Sequence, residues 1–288
     1  MSKDRLYIDM LNKLLNLEIK SNNIYIGENH YYGSKRVFGG RVLCQALAAA
    51  SKTVTNRLVH SLHSYFLRPG NAKLPIEYEV EISRDGRSFS SRRVIAKQKN
   101  KTLFNMSASF HVKEDGEEHQ SIMPDVTNYN NLNNLEELSQ KDIFSNIPDN
   151  YFRLMTNNFP FEIRPINPTD IISKVPVKPI RNVWVKYKSK LSNIENIHYC
   201  LLSYLSDFFL LGTANLPYSV LSNNLKLQMA SLDHSIWFHR PCRVDEWLLY
   251  SMESPNACSS RGFSIGKFFN SKGVLIASVA QEGLIRFI

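Results

Sequence analysis

An α+β chain, in which one unit of a helix followed by antiparallel strands occurs twice, is the fold class this sequence predicts, and three observations predict it. Two runs are apolar and rich in helix formers: FGGRVLCQALAAASKTV at 38–54, with Val42, Ala46, Ala49 and Ala50 on one face, and HYCLLSYLSDFFLLGTA at 198–214. Each is followed by strand-like segments, and in IEYEVEISRDGRSFSSRRVIAKQ alternation on either side of Asp85-Gly86 marks a β-hairpin. Finally, the two halves align on each other. Arg68-Pro69 falls on Arg240-Pro241, Ser91-Arg92 on Ser260-Arg261 and Ser107 on Ser278, all at offsets of about 170 residues, as an internal duplication requires.

Taken in order, MSKDRLYIDMLNKLLNLEIK has leucines at helical intervals, but Asp9, Asn12, Lys13 and Glu18 interrupt it, so it reads as neither signal peptide nor membrane span. The buried helix at 38–54 leads into HSLHSYFLRPG (60–70), the hairpin, and a closing strand LFNMSASFHV (103–112). Residues 113–182 are rich in Asn, Asp, Glu and Pro and poor in periodicity; they read as a long connector with one short helix near 134–140. The second half repeats the order, with SLDHSIWFHRP matching SLHSYFLRP, then EWLLYSMES, SSRGFSIGKFF and VLIASVAQEGLIR as strands. The expected division is therefore 1–112, 113–182 and 183–288.

Composition narrows the function classes. Of 288 residues, 43% are hydrophobic, enough for a sizeable core. The formal charge of +9, from 35 basic and 26 acidic side chains, favours anionic partners. No basic run resembles a nucleic-acid arm, since the densest patch, RDGRSFSSRR, is broken by a turn, so no nucleic-acid partner is expected. Cys44, Cys200, Cys242 and Cys258 stand apart and read as reduced thiols, which points to a cytoplasmic protein. Neither Cys44 nor Cys242 has a His at a spacing that would activate it. No metal set or cofactor is expected from the sequence, and the last residues, RFI, differ from an SKL-type address.

FGGRVLCQALAAA, HSLHSYFLRPG, RDGRSFSSRRV, SLDHSIWFHRP, DEWLLY, SSRG and ASVAQEG resemble, in order and spacing, the acyl-CoA thioesterase II family. The resemblance runs from about Phe38 to Arg286 and is weakest in the connector. It implies two tandem hotdog folds, each an antiparallel sheet wrapped around a long helix, joined edge to edge. It also implies hydrolysis of acyl-CoA to a free fatty acid and coenzyme A. The family's catalytic Asp falls on Asp207 in YLSDFFLLG, its Thr or Ser hydroxyl on Ser231, and its Gln on Gln281. Many relatives have Thr where this chain has Ser231, and both carry a hydroxyl that donates and accepts.

The chemistry suits those residue types. A carboxylate in apolar company is a stronger base, and Leu202, Leu205, Phe208 and Leu211 surround Asp207 in the sequence. Ser231 and Gln281 cannot act as bases but can align a water. Backbone N–H groups at the start of the first helix, where Gly39 and Gly40 allow close approach, are candidate donors to the carbonyl oxygen. Arg84 and Arg87, with Arg92 and Arg93, are candidate partners for the phosphates of coenzyme A. Tyr65, Phe66, Phe208 and Trp237 are the side chains expected to set pocket depth.

The internal alignment pairs Ser231 with Val59 and Gln281 with Phe110, and no carboxylate near Gly40 matches Asp207. The polar set thus belongs to one half only. In ASLDHSIWFHRP (230–241), strand alternation puts Ser231, Asp233 and Ser235 on one face and Leu232, His234, Ile236 and Phe238 on the other. Asp233, His234, Ser235 and His239 are left as hydrogen-bonded strand residues or contacts between the halves. A hydratase or dehydratase using Asp233 and His234, and an acyl-CoA binding protein without chemistry, remain as alternatives. Free sheet edges favour a homo-oligomer.

Overall fold

The computed structural model describes residues 3–29, 35–140, 159–171, 176–218 and 227–288. Among them, 13 strands form one antiparallel sheet. The first half contributes helix α1 (Lys3–Leu15), strands β1 (Glu18–Ser21) and β2 (Ile24–Gly27), helix α2 (Gly39–Ser51), and strands β3 (Leu58–Phe66), β4 (Ile76–Asp85), β5 (Phe89–Gln98) and β6 (Lys101–His111). The short helix α3 (Leu135–Ser139) follows. The second half holds β7 (Phe161–Pro165), β8 (Ile180–Tyr187), α4 (Glu195–Ser206), α5 (Leu210–Ala214), β9 (Leu227–Ser231), β10 (Asp233–Phe238), β11 (Leu248–Cys258), β12 (Arg261–Asn270) and β13 (Leu275–Phe287).

The strand order is β1-β2-β4-β5-β6-β3-β10-β13-β12-β11-β8-β7, with β9 pairing β13. It is symmetric about the β3–β10 junction, so the two halves meet edge to edge there, as the duplication requires. The junction register sets Ser235 opposite His63 and Ile236 opposite Leu62. Both long helices are buried, and one apolar cluster joins Leu43, Ala46 and Leu47 of α2 to Leu201, Leu202 and Leu205 of α4. The alanines of α2 favour helix and leave room for a second helix beside it.

The stretch expected to be a connector carries more structure than its composition suggested. Asn134 caps α3 in a reciprocal capping box with Glu137. The strand β7 and the start of β8 also lie within 113–182; β7 is a five-residue edge strand, too short for its alternation to stand out. Met123, Val126, Tyr129 and Leu132 cover Trp184, Leu249, Phe269 and Leu275 on the outer face of the second half, and the Trp184 indole N–H donates to the Thr127 carbonyl at 2.9 Å. No helix among the described residues is long and apolar enough to cross a membrane.

Candidate active site

The segment read as one helix over 198–214 is two. α4 stops with Asp207 as its C-cap, Phe209 takes a left-handed conformation at φ 68°, and α5 restarts at Leu210. A non-glycine residue with positive φ is strained, and here it turns the chain so that Asp207 projects from the helix end.

The N-terminus of α2 lies against that end. Phe38, the N-cap of α2, makes no side-chain cap bond; instead the Gly40 N–H donates to Asp207 Oδ2 at 2.8 Å. A carboxylate of the second half thus caps the helix of the first and faces its positive pole. Both glycines are needed for this approach. A Cβ on Gly39 would stand 2.7 Å from Asp207 Oδ2, and one on Gly40 would press into the Tyr204 carbonyl oxygen.

Asp207 Oδ1 receives two more donors, the Gln281 amide Nε2 at 2.6 Å and the Ser231 hydroxyl at 3.2 Å. Residues named from three separate segments therefore meet at one carboxylate. Of about four lone-pair sites on a carboxylate, the described residues use three. The ring of Phe66 lies beside Gly39, and that of Phe38 beside Gly40; Phe208 packs edge-on to Phe38 with centroids 6.0 Å apart. The apolar company expected of Asp207 is there, but the carboxylate is held by three donors and not isolated within it.

His234, left open by the sequence, belongs to the same cluster. It is fully buried, with Nε2 2.7 Å from Ser206 Oγ and Nδ1 3.2 Å from Gln281 Nε2. Burial pushes its pKa down to about 4, with the neighbouring Asp207 acting in the opposite sense. Strand alternation aims His234 away from Ser231, and a β-bulge reverses it. Ser235 pairs with Ala280 and Ser231 with Gly283, so β9–β10 carries one residue more than β13 over the same span. The extra residue flips the parity and brings both side chains to Asp207.

The other polar residues of that segment are structural. Asp233 Oδ1 accepts from the Glu282 N–H at 2.6 Å and braces the bulge. Ser235 Oγ lies 3.0 Å from His63 Nδ1 across the junction of the halves, and His239 Nε2 lies 2.9 Å from Ser278 Oγ.

Several expectations require correction. Gly40 N–H is engaged by Asp207 and is not open to a substrate carbonyl. Arg84 and Arg87 are exposed on the β4–β5 hairpin, whose tip is bound by Arg57 through the Gly86 and Arg87 carbonyls. That tip adjoins the Leu58 end of β3, whereas Phe66, at the other end, borders Asp207. Nine strand residues, roughly 27 Å, separate the two ends. Arg92 is buried against Asp85 and Thr53. Tyr65 and Trp237 are 59% and 37% exposed and do not line the site. Among the described residues no group of three His, Cys, Asp or Glu side chains could hold a metal ion.

Two family models match the chain, one described as acyl-CoA thioesterase N-terminal domain over residues 29–111 and one as acyl-CoA thioesterase over 158–284. The chain is 39% identical to acyl-CoA thioesterase 2 of Haemophilus influenzae, covering 97% of this chain and 99% of that protein. It is 38% identical to human acyl-coenzyme A thioesterase 8, over 96% of this chain and 89% of the human protein. Its structure is similar to the crystal structure of acyl-CoA thioesterase II TesB2 from Mycobacterium marinum, with a TM-score of 0.79, 38% identity, and coverage of 96% and 98%. A dehydratase domain of Pseudomonas fluorescens RzxB, at 10% identity and a TM-score of 0.52, shares the fold alone. With both halves matched and relatives similar along nearly its whole length, this chain belongs to the acyl-CoA thioesterase II family.

Proposed function

We propose that this chain hydrolyses acyl-CoA thioesters to a fatty acid and coenzyme A at the Asp207 cluster. The observation that carries the reading is the convergence of Ser231, Gln281 and the α2 N-terminus on one carboxylate. A water bound at the remaining lone pair of Asp207 loses a proton to it while attacking the thioester carbonyl carbon. Ser231 and Gln281 hold the carboxylate and the water in line. Negative charge gathers on the carbonyl oxygen beside the start of α2, where the positive helix pole and the Gly39 amide oppose it. Collapse of the tetrahedral intermediate breaks the carbon–sulfur bond and releases the coenzyme A thiolate, which takes up a proton.

The four cysteines are free thiols, which supports a cytoplasmic location, and the exposed rings of Tyr65 and Trp237 on the outer face near the junction support a homo-oligomer. Acyl-CoA is the partner in this reading.

Thiol release from an acyl-CoA, followed with a thiol dye, tests it. Asp207→Asn keeps the shape but not the base, and turnover should fall by about 10² to 10⁴ with an unchanged far-UV spectrum. A folded Asp207→Asn protein with wild-type turnover would remove the mechanism, and a wild-type protein that binds acyl-CoA without releasing thiol would leave a binding protein.

A further inference from the structure

Gln281 is 1% exposed, and its amide orientation is dictated by its neighbours. Asp207 Oδ1, 2.6 Å away, can only accept, so the amide nitrogen must face it. The second hydrogen of that nitrogen points to His234 Nδ1 at 3.2 Å. At the far side of the ring, Ser206 Oγ has the Ser203 carbonyl at 2.9 Å to donate to, which lets it accept from an N–H on His234 Nε2 at 2.7 Å. The Gln281 end thus specifies a neutral imidazole with a bare Nδ1, and the Ser206 end accommodates its proton on Nε2. The alternative tautomer would set Nδ1–H against the Gln281 amide hydrogens. What remains of Gln281 is its carbonyl Oε1, buried and without a hydrogen-bond partner among the described residues. A buried acceptor of that kind calls for a donor.

We propose that His234 is a positioning residue for the hydrolysis: its bare Nδ1 fixes the Gln281 amide so that N–H faces Asp207 and Oε1 accepts a hydrogen bond from the attacking water. The inference rests on the reading of Asp207 as the base. In it, one hydrogen of the water goes to Asp207 and the other to Gln281 Oε1, which leaves an oxygen lone pair aimed at the carbonyl carbon. Burial, which keeps the ring neutral, serves the same end. Tyr250, whose hydroxyl donates to the Ser206 carbonyl at 2.6 Å, anchors the far side of the chain of bonds.

Two substitutions separate this role from packing. In His234→Asn the side-chain oxygen falls where Nδ1 was and still accepts from Gln281; in His234→Gln the terminal group falls where Nε2 was and the acceptor is lost. The Asn variant should keep kcat within about threefold, while the Gln variant should lose roughly 10- to 100-fold in kcat with KM changed far less, since the lost contact acts in the transition state. A structural histidine would make both variants less stable without splitting their kcat values, and equal kcat losses would overturn the proposal. A second measurement does not depend on turnover or on variant stability. Nitrogen-15 shifts of the wild-type imidazole, assigned among the eight histidines, should show protonation on Nε2 alone at neutral pH. A ring protonated on Nδ1, or on both nitrogens, would overturn it. Should wild type release no thiol from acyl-CoA, the functional reading would fall while the tautomer was still decided.

Discussion

Ser231 and Gln281 donate to the same oxygen of Asp207, at 3.2 Å and 2.6 Å, so the hydroxyl is the weaker holder. A hydrogen bond to a charged group contributes about 1.5–3 kcal/mol, and the longer bond falls at the low end. Ser231→Ala should therefore lower kcat by about tenfold, and Ser231→Thr, which keeps the hydroxyl and suits a strand, should stay within about twofold of wild type. Equal losses in the two variants would mean that shape at this position matters and the hydroxyl does not. Ser231 was nameable from the sequence only through the resemblance to a family. His234 was not, because period-two alternation aims it away from Ser231, and the single inserted residue that reverses this has no signature in Ser231-Leu232-Asp233.

Between elements, the decisive contact is the meeting of the end of α4 with the start of α2. A carboxylate at the C-terminus of α4 faces that helix's own negative pole, which is unfavourable. The positive end of α2 and its Gly40 N–H offset this. The glycine pair in FGG is plain in the sequence, but its purpose is visible only once Tyr204 is seen against it. The helix break was hidden for a similar reason: Leu205 to Leu211 is continuously apolar apart from Ser206 and Asp207, and nothing in it announces a left-handed Phe209. Gly40→Ala would drive a methyl group into backbone, which cannot move aside cheaply. It should cost about 1–3 kcal/mol of stability and displace Asp207, so thermal midpoint and kcat should fall together. Gly116→Ala, where a Cβ meets nothing within 4 Å, is the control. A Gly40→Ala protein as stable and active as wild type would show that the close approach is not needed.

Over the whole molecule the duplication was legible because paired motifs keep their spacing, and the strand order is symmetric about β3–β10. The chemistry is not duplicated. The C-cap of α4 is Asp207, while that of α2 is Lys52, and a cleft of about 250 Å³ there is lined by Lys52, Asn196 and, from α1, Leu11 and Leu15. One consequence of the asymmetry can be measured as a dependence on pH. His234 is buried and neutral, its pKa lowered by burial to about 4 against an opposing effect of Asp207, while the unfolded chain binds that proton near 6.5. The unfolded state therefore holds more protons below about pH 6.5. Stability from this group is fully present above that pH and is lost as pH falls toward 4, by about 2 kcal/mol between pH 7 and pH 5. His60, His198 and His239, also lowered by burial, act in the same direction, and Asp233, raised by burial, opposes them. Denaturant unfolding of wild type and His234→Asn at the two pH values isolates the buried ring: the variant has no imidazole to titrate there, so its loss on acidification should be smaller by roughly that amount. The same acid dependence in both proteins would mean that His234 takes up its proton without cost, and that the buried neutral imidazole is not what the cluster is built on.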